Sequence, residues 1–159
     1  MKIFYDLINF KSLNSSVVTI GSYDGIHRGH FHIINKVKSI ANSLETQSVV
    51  ITFNPHPRNI INEQEDNIKL LMSLDRKIEL FEKFSIDILI ILNFSSDLMR
   101  MEAEDFLKKI IIKNLNPKCI VSGNSHTFGF KKSGNSDYLK KFCKVNKISL
   151  EVVKLLKDG

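Results

Sequence analysis

Strand-like and helix-like segments alternate along this 159-residue chain, and that alternation is the strongest constraint on its fold. Short runs rich in β-branched and aliphatic residues predict strands at Val17–Gly21, Ser48–Phe53, Ile86–Leu92, Cys119–Ser122 and Ser149–Val153. Amphipathic stretches between them predict helices near Phe31–Ser43, Asp75–Phe84, Glu102–Lys113 and Asp137–Val145. This order favours an α/β fold, a mostly parallel sheet of about five strands flanked by helices.

Three loops that follow predicted strands are the first candidates for a binding site. They start at Gly21, Asn54 and Gly123. Because ligands of open α/β sheets bind beyond the carboxyl ends of the strands, we expect these loops to share one rim of the sheet. A chain of this length is expected to form one domain, residues 1–159.

The loop after the first of these strands has the composition of a phosphate site. It contains Gly21-Ser22-Tyr23-Asp24-Gly25-Ile26-His27-Arg28-Gly29-His30. The helix predicted after it has unpartnered first-turn amides and a positive dipole end, which favour an anion by roughly 0.3–1 kcal/mol. Gly25 and Gly29 lack the Cβ atoms that would hold a ligand away from the backbone. His27 and His30 can both donate to phosphate oxygens from one face of a helical turn, and Asp24 could neutralise a basic neighbour or help to hold a metal ion.

These residues resemble the signature of a known family, the bacterial FAD synthetase module. That module is the FMN adenylyltransferase half of the bifunctional riboflavin kinase/FAD synthetase. His27-Arg28-Gly29-His30 is similar to the HxGH element of nucleotidylyltransferases and class I aminoacyl-tRNA synthetases, and the preceding Gly-x-Tyr-Asp-Gly-Ile is much narrower. The resemblance implies a Rossmann-like nucleotidylyltransferase fold in which His27 and His30 are catalytic. It also implies nucleotide contacts at Gly21, Ser22, Tyr23, Asp24, Gly25, His27, Gly29 and His30.

Two later segments strengthen the resemblance. Val49–Pro57 is similar to the family's second-strand motif, a β-branched strand stopped by a Pro-His-Pro turn beside the flavin. Ile120–Gly134 resembles a later strand and loop with a Phe-Gly pair and following basic residues; in that loop Ser125 stands where the family usually has Asp or Asn. The implied flavin contacts are Thr52, Asn54, Pro55, His56, Pro57, Gly123, Ser125 and Phe128.

The function implied by the resemblance is transfer of AMP from ATP to FMN, giving FAD and pyrophosphate. ATP and FMN would be the substrates, with Mg²⁺ accompanying ATP, and His27 and His30 would stabilise the α-phosphate and the leaving pyrophosphate. Two alternatives stay open: a different phosphorylated acceptor, or a module that binds nucleotide or flavin without turnover. The sequence ends at Gly159, before the family's Ser-Ser-Thr-x-x-Arg segment. We therefore expect a C-terminally truncated adenylyltransferase domain without its riboflavin kinase domain.

Composition limits the other classes of function. The formal charge is +6, but the lysines are scattered and no aromatic-interleaved basic motif is present, so we expect no nucleic-acid partner. The strongest apolar run, Ile88–Leu92, is far shorter than the ~20 residues that span a bilayer, and no secretory signal begins the sequence. We expect a cytoplasmic protein without a membrane partner, in which Cys119 and Cys143 are core thiols.

Zinc binding is the alternative interpretation of the histidines. His27 and His30 could be ligands, and His32, His56 and His126 offer further imidazoles. No cysteine pair or glutamate-bearing zinc motif accompanies them, which disfavours a metal hydrolase. His32 is expected on a helix surface.

Overall fold

The structure is a computed structural model that describes residues 1–23, 28–54, 73–124 and 134–154. Its strands are β1 (Lys2–Tyr5), β2 (Ser16–Ile20), β3 (Gln47–Asn54), β4 (Ile88–Asn93), β5 (Pro117–Gly123) and β6 (Ser149–Val153). These described strands form one six-stranded sheet in the order β1-β4-β3-β2-β5-β6, and all neighbours run parallel. The predicted α/β class is confirmed. The sheet has one strand more than predicted, because β1 pairs with β4 at the edge.

The helices of the described residues are α1 (Arg28–Ser43), α2 (Leu74–Lys83), α3 (Ser96–Met99), α4 and α5 (Ser136–Val145). The helix α4 consists of three consecutive segments, Ala103–Asp105, Phe106–Ile112 and Lys113–Leu115. Its middle segment is π-helical, where the sequence predicts an ordinary helix. The short α3 is not predicted; the Ser95 hydroxyl caps it by accepting from the Leu98 N–H at 3.2 Å.

The helices cover both faces of the sheet. On β2, Val17 packs with Val37 of α1, whereas the next residue, Val18, belongs to the cluster that includes Leu107 of α4 and Phe142 of α5. Consecutive strand residues point to opposite faces, so α1 and α4 lie on opposite sides of the sheet. Burial on both faces explains the consecutive apolar residues in the central strands, such as Val17 and Val18 of β2 and Val49–Ile51 of β3.

The winding of the chain reverses at β2. From β2 the chain proceeds to β3 and β4 on one side, and it then returns to β5 and β6 on the other side. Parallel pairing places the carboxyl ends of β2, β3 and β5 at one rim, which confirms the predicted position of Gly21, Asn54 and Gly123. Such a reversal is where open α/β sheets bind ligands.

The two cysteines agree with the sequence-based expectation of core thiols. Cys119 and Cys143 are buried and free of a disulfide. Burial raises the pKa of the Cys143 thiol to about 11. None of the helices that the structure describes is long and apolar enough to cross a membrane.

Candidate functional site

The turn Gly21–Tyr23 leaves the central strand β2 at the switch point of the sheet. The Gly21 N–H donates to the Ile51 carbonyl at 3.0 Å, which extends the pairing of β2 with β3 by one hydrogen bond. Tyr23 then adopts a left-handed backbone, with φ 48°. For a residue with a bulky side chain this conformation is rare and costs about 1–3 kcal/mol, so the surrounding contacts must hold it.

The Tyr23 side chain supplies those contacts. It is 3% exposed, and its hydroxyl shares a 2.7 Å hydrogen bond with the Thr19 hydroxyl. Its ring meets Phe81 of α2 edge-on, with centroids 5.5 Å apart, and His30 of α1 edge-on at 5.0 Å. Burial raises the pKa of the Tyr23 phenol well above its ordinary value, so the hydroxyl stays neutral at physiological pH. Tyr23 therefore joins the turn to two helices as a hydrogen-bonded apolar residue.

The predicted catalytic residue His30 lies in the first turn of α1 and is partly buried. In a right-handed crossover that starts on β2, this end of the helix faces the carboxyl rim of the sheet. Unpartnered first-turn amides and the positive pole of the dipole favour an anion there. The imidazole of His30 adds a hydrogen-bond donor to the same end of the helix.

A second polar centre lies at the Ser22 carbonyl oxygen. It accepts from the Thr52 hydroxyl at 3.0 Å and from the Lys77 ammonium at 2.8 Å. Lys77 belongs to α2 and is only 3% exposed. Sequence reasoning missed Lys77, although one signal was present: it stands four residues before Phe81, on the apolar face of an amphipathic helix.

Three of the residues that the resemblance assigns to flavin are described, and they lie on both sides of β2. Thr52 is buried in β3, and its hydroxyl donates to the Ser22 carbonyl as described. Asn54 ends β3 with an exposed side chain, in register with Asn93 of β4. Gly123 ends β5 in register with Val153 of β6. Thr52 and Asn54 thus flank the turn on one side, and Gly123 lies on the other.

Several predicted site residues lie outside the described residues, and their assignments stay predictions. They are Asp24, Gly25, His27, Pro55, His56, Pro57, Ser125 and Phe128; of Gly29 only the helical backbone is described. His32 is exposed on α1, as predicted. Among the described residues, no group of three or more His, Cys, Asp or Glu side chains could hold a metal ion. The zinc alternative also involves His27, His56 and His126, which are outside that part of the chain.

Comparison with known proteins agrees with the family resemblance. A sequence model of the family described as FAD synthetase matches residues 9–159. A bifunctional riboflavin kinase/FMN adenylyltransferase of Buchnera aphidicola from Schizaphis graminum is 34% identical over 141 residues, which cover 88% of this chain and 45% of that protein. An FAD synthetase of Listeria monocytogenes is 29% identical over 149 residues, covering 94% of this chain and 60% of the relative. The chain thus spans about half the length of the curated relatives that it matches.

A solved structure supports the fold. The crystal structure described as a macrolide-efflux protein from Streptococcus pneumoniae superposes with a TM-score of 0.83 and 25% sequence identity. The match covers 100% of this chain and 52% of the other. The similarity therefore extends over the full sheet and its helices.

Proposed function

This chain belongs to the FAD synthetase family, and on that premise we propose that it acts as an FMN adenylyltransferase. In this proposal ATP, taken as its Mg²⁺ complex, donates AMP to FMN, and the products are FAD and pyrophosphate. An oxygen of the FMN phosphate attacks the α-phosphorus of ATP while the bond to the β-phosphate breaks. The partners are small molecules, and the proposal requires neither nucleic acid nor a membrane.

The observation that carries the proposal is the position of the Gly21–Tyr23 turn. It leaves the carboxyl end of the central strand at the point where the winding reverses, between β3 and β5. The same rim holds Asn54 and Gly123, the ends of the two strands whose motifs resemble the flavin-side motifs of the family. A nucleotide and an acceptor can therefore meet across β2.

His30 is the described residue that we assign to the transferring phosphates. It lies at the positive end of α1 and is held edge-on against the buried ring of Tyr23. A donor held in place before reaction stabilises developing charge, and loss of one such donor typically lowers kcat about 100-fold to 1000-fold. His27 is assigned to the same phosphates on the family resemblance.

The test is synthesis of FAD by the 159-residue chain with ATP, Mg²⁺ and FMN. The reaction is measured in two ways, by separating FAD from FMN and by detecting the pyrophosphate that is released. His30→Ala should reduce the rate by at least about 100-fold. His32→Ala is the matched control, because His32 lies on the same helix with an exposed side chain. It should keep the wild-type rate.

Three results would contradict the proposal. One is pyrophosphate release with a phosphopantetheine, nicotinamide mononucleotide or glycerol phosphate acceptor and none with FMN, which would identify a different transferase. Another is binding of ATP and FMN, seen by calorimetry, without any product, which would identify a binding module. A His30→Ala rate equal to that of His32→Ala would remove His30 from the site.

A further inference from the structure

We propose that Lys77 is a positioning residue for the nucleotide phosphates. Its buried ammonium fixes the Ser22 carbonyl and thereby the orientation of the peptide between Ser22 and Tyr23. This inference rests on the proposed function, since the bound nucleotide is the ATP of that reaction. The inference adds Lys77 to the candidate nucleotide site, although Lys77 is distant in sequence from the glycine and histidine motif.

Burial of Lys77 requires an explanation beyond packing. Its side chain is 3% exposed, although lysine is among the residues least often buried. Taking an ammonium out of water is costly unless strong acceptors replace the water. The bond to the Ser22 carbonyl, at 2.8 Å, is one such charge-assisted bond. An apolar side chain at residue 77 would occupy the same face of α2 without that cost, whereas the ammonium bonds directly to the turn.

Two donors from different elements converge on one oxygen. Thr52 reaches the Ser22 carbonyl from β3, and Lys77 reaches it from α2. The Ser22 carbonyl and the Tyr23 N–H belong to one planar peptide unit, so holding the oxygen also fixes the direction of that N–H. The next residue along the chain, Tyr23, already has a left-handed backbone. Lys77 and Thr52 therefore define the peptide orientation at the point where the chain leaves the sheet.

The same helix also touches the turn through an aromatic contact. Phe81, four residues after Lys77 on α2, meets the Tyr23 ring edge-on, and Tyr23 in turn contacts His30. The helix α2 thus holds the turn at its backbone and at its largest side chain. A change in the Ser22 peptide can displace Tyr23, and a small displacement of a positioning contact can reduce catalysis by about 100-fold.

The test compares Lys77→Met, Lys77→Gln and Lys77→Arg with Lys83→Met. Lys83 is the matched control, because it is an exposed lysine on the same helix. In Lys77→Met we expect the Kd and KM for ATP to rise by about tenfold or more, while the KM for FMN stays within about twofold of wild type. Lys77→Arg retains a charged donor and should recover part of the lost ATP affinity. If Lys77 served only for packing, Lys77→Arg would bind ATP no more tightly than Lys77→Met.

Amide hydrogen exchange gives a measurement that does not require turnover. Exchange in the segment around Gly21–Tyr23 should be faster in Lys77→Met and Lys77→Gln than in Lys83→Met. The inference is overturned if both Lys77 variants match Lys83→Met in exchange, or if exchange rises while ATP affinity is unchanged. Wild-type protein that binds ATP but makes no FAD would overturn the proposed function alone, and the Lys77 comparison of ATP affinity would still decide the present inference.

Discussion

Gly21 and Tyr23 are packed so closely that residue 21 has no room for a side chain. A Cβ atom added at Gly21 would lie 2.9 Å from Cε2 of the Tyr23 ring and 3.1 Å from its Cζ. The ring cannot move away easily, because Thr19, His30 and Phe81 hold it. Residue 21 must therefore be glycine, because the Tyr23 side chain folds back against its Cα atom.

Gly21→Ala should destabilise the protein by about 1–3 kcal/mol, the usual cost of overpacking a tight site. The free energy of unfolding in urea measures this cost. In a Tyr23→Ala background the obstructing ring is absent, so the same Gly21→Ala change should cost much less. Equal costs in the two backgrounds would show that the contact with the ring is not the reason for the glycine.

The sequence predicted the alternation of elements because each central strand and long helix has a strong local pattern. The prediction from sequence failed for elements that are too short to show such a pattern. The strand β1 has four residues at an edge, and its last residue, Tyr5, is 67% exposed, so no long apolar run indicates it. The helix α3 also has four residues, and the Ser95 cap is its main local signal.

In the candidate site, too, features that depend on neighbouring residues in the sequence could be predicted, and contacts between distant residues could not. The turn at Gly21 could be predicted, because a strand, glycines and a helix follow one another along the sequence. Lys77 could not be assigned to it, because its partner Ser22 is 55 residues away and the contact depends on how α2 packs on the sheet. Periodicity places Lys77 on an apolar face but does not identify the oxygen that it meets.

Ser48 and Asp87 form a reciprocal pair at the start of β3, and its loss should be costly. The Ser48 hydroxyl donates to the Asp87 carboxylate at 2.9 Å and accepts from the Asp87 N–H at 2.9 Å, while the Ser48 N–H donates to the same carboxylate at 2.8 Å. Ser48→Ala should lower the free energy of unfolding by about 1–3 kcal/mol, because the buried Ser48 hydroxyl makes two hydrogen bonds to Asp87, one of them to its charged carboxylate. The exposed Ser43→Ala is the control in urea unfolding. A Ser48→Ala variant as stable as Ser43→Ala would contradict the prediction.

Lys147→Gly should stabilise the protein. Lys147 follows the carboxyl end of α5 with φ 57°, a left-handed conformation that suits glycine better than a lysine. The expected gain is about 1 kcal/mol in the free energy of unfolding. The matched control is Lys144→Gly, an exposed residue within α5, where glycine should cost about 1 kcal/mol. Opposite shifts of the two urea midpoints would support the prediction, and a loss of stability in both variants would contradict it.

The buried thiol of Cys143 should make stability fall in alkaline solution. Burial, with a smaller contribution from Cys119, raises the pKa of Cys143 from 9.0 to about 11, so the folded state holds this proton more tightly than the unfolded state. The stabilisation is fully present below pH 9.0 and is lost as the pH rises through about 11. The pKa values of Cys119 and Tyr23 are also raised, and both groups act in the same direction. Urea unfolding between about pH 8 and about pH 11 measures this effect. The free energy of unfolding should decline less steeply with pH for Cys143→Ala than for wild type, whatever the absolute stability of the variant. Parallel declines would mean that Cys143 ionises equally in the folded and unfolded chains.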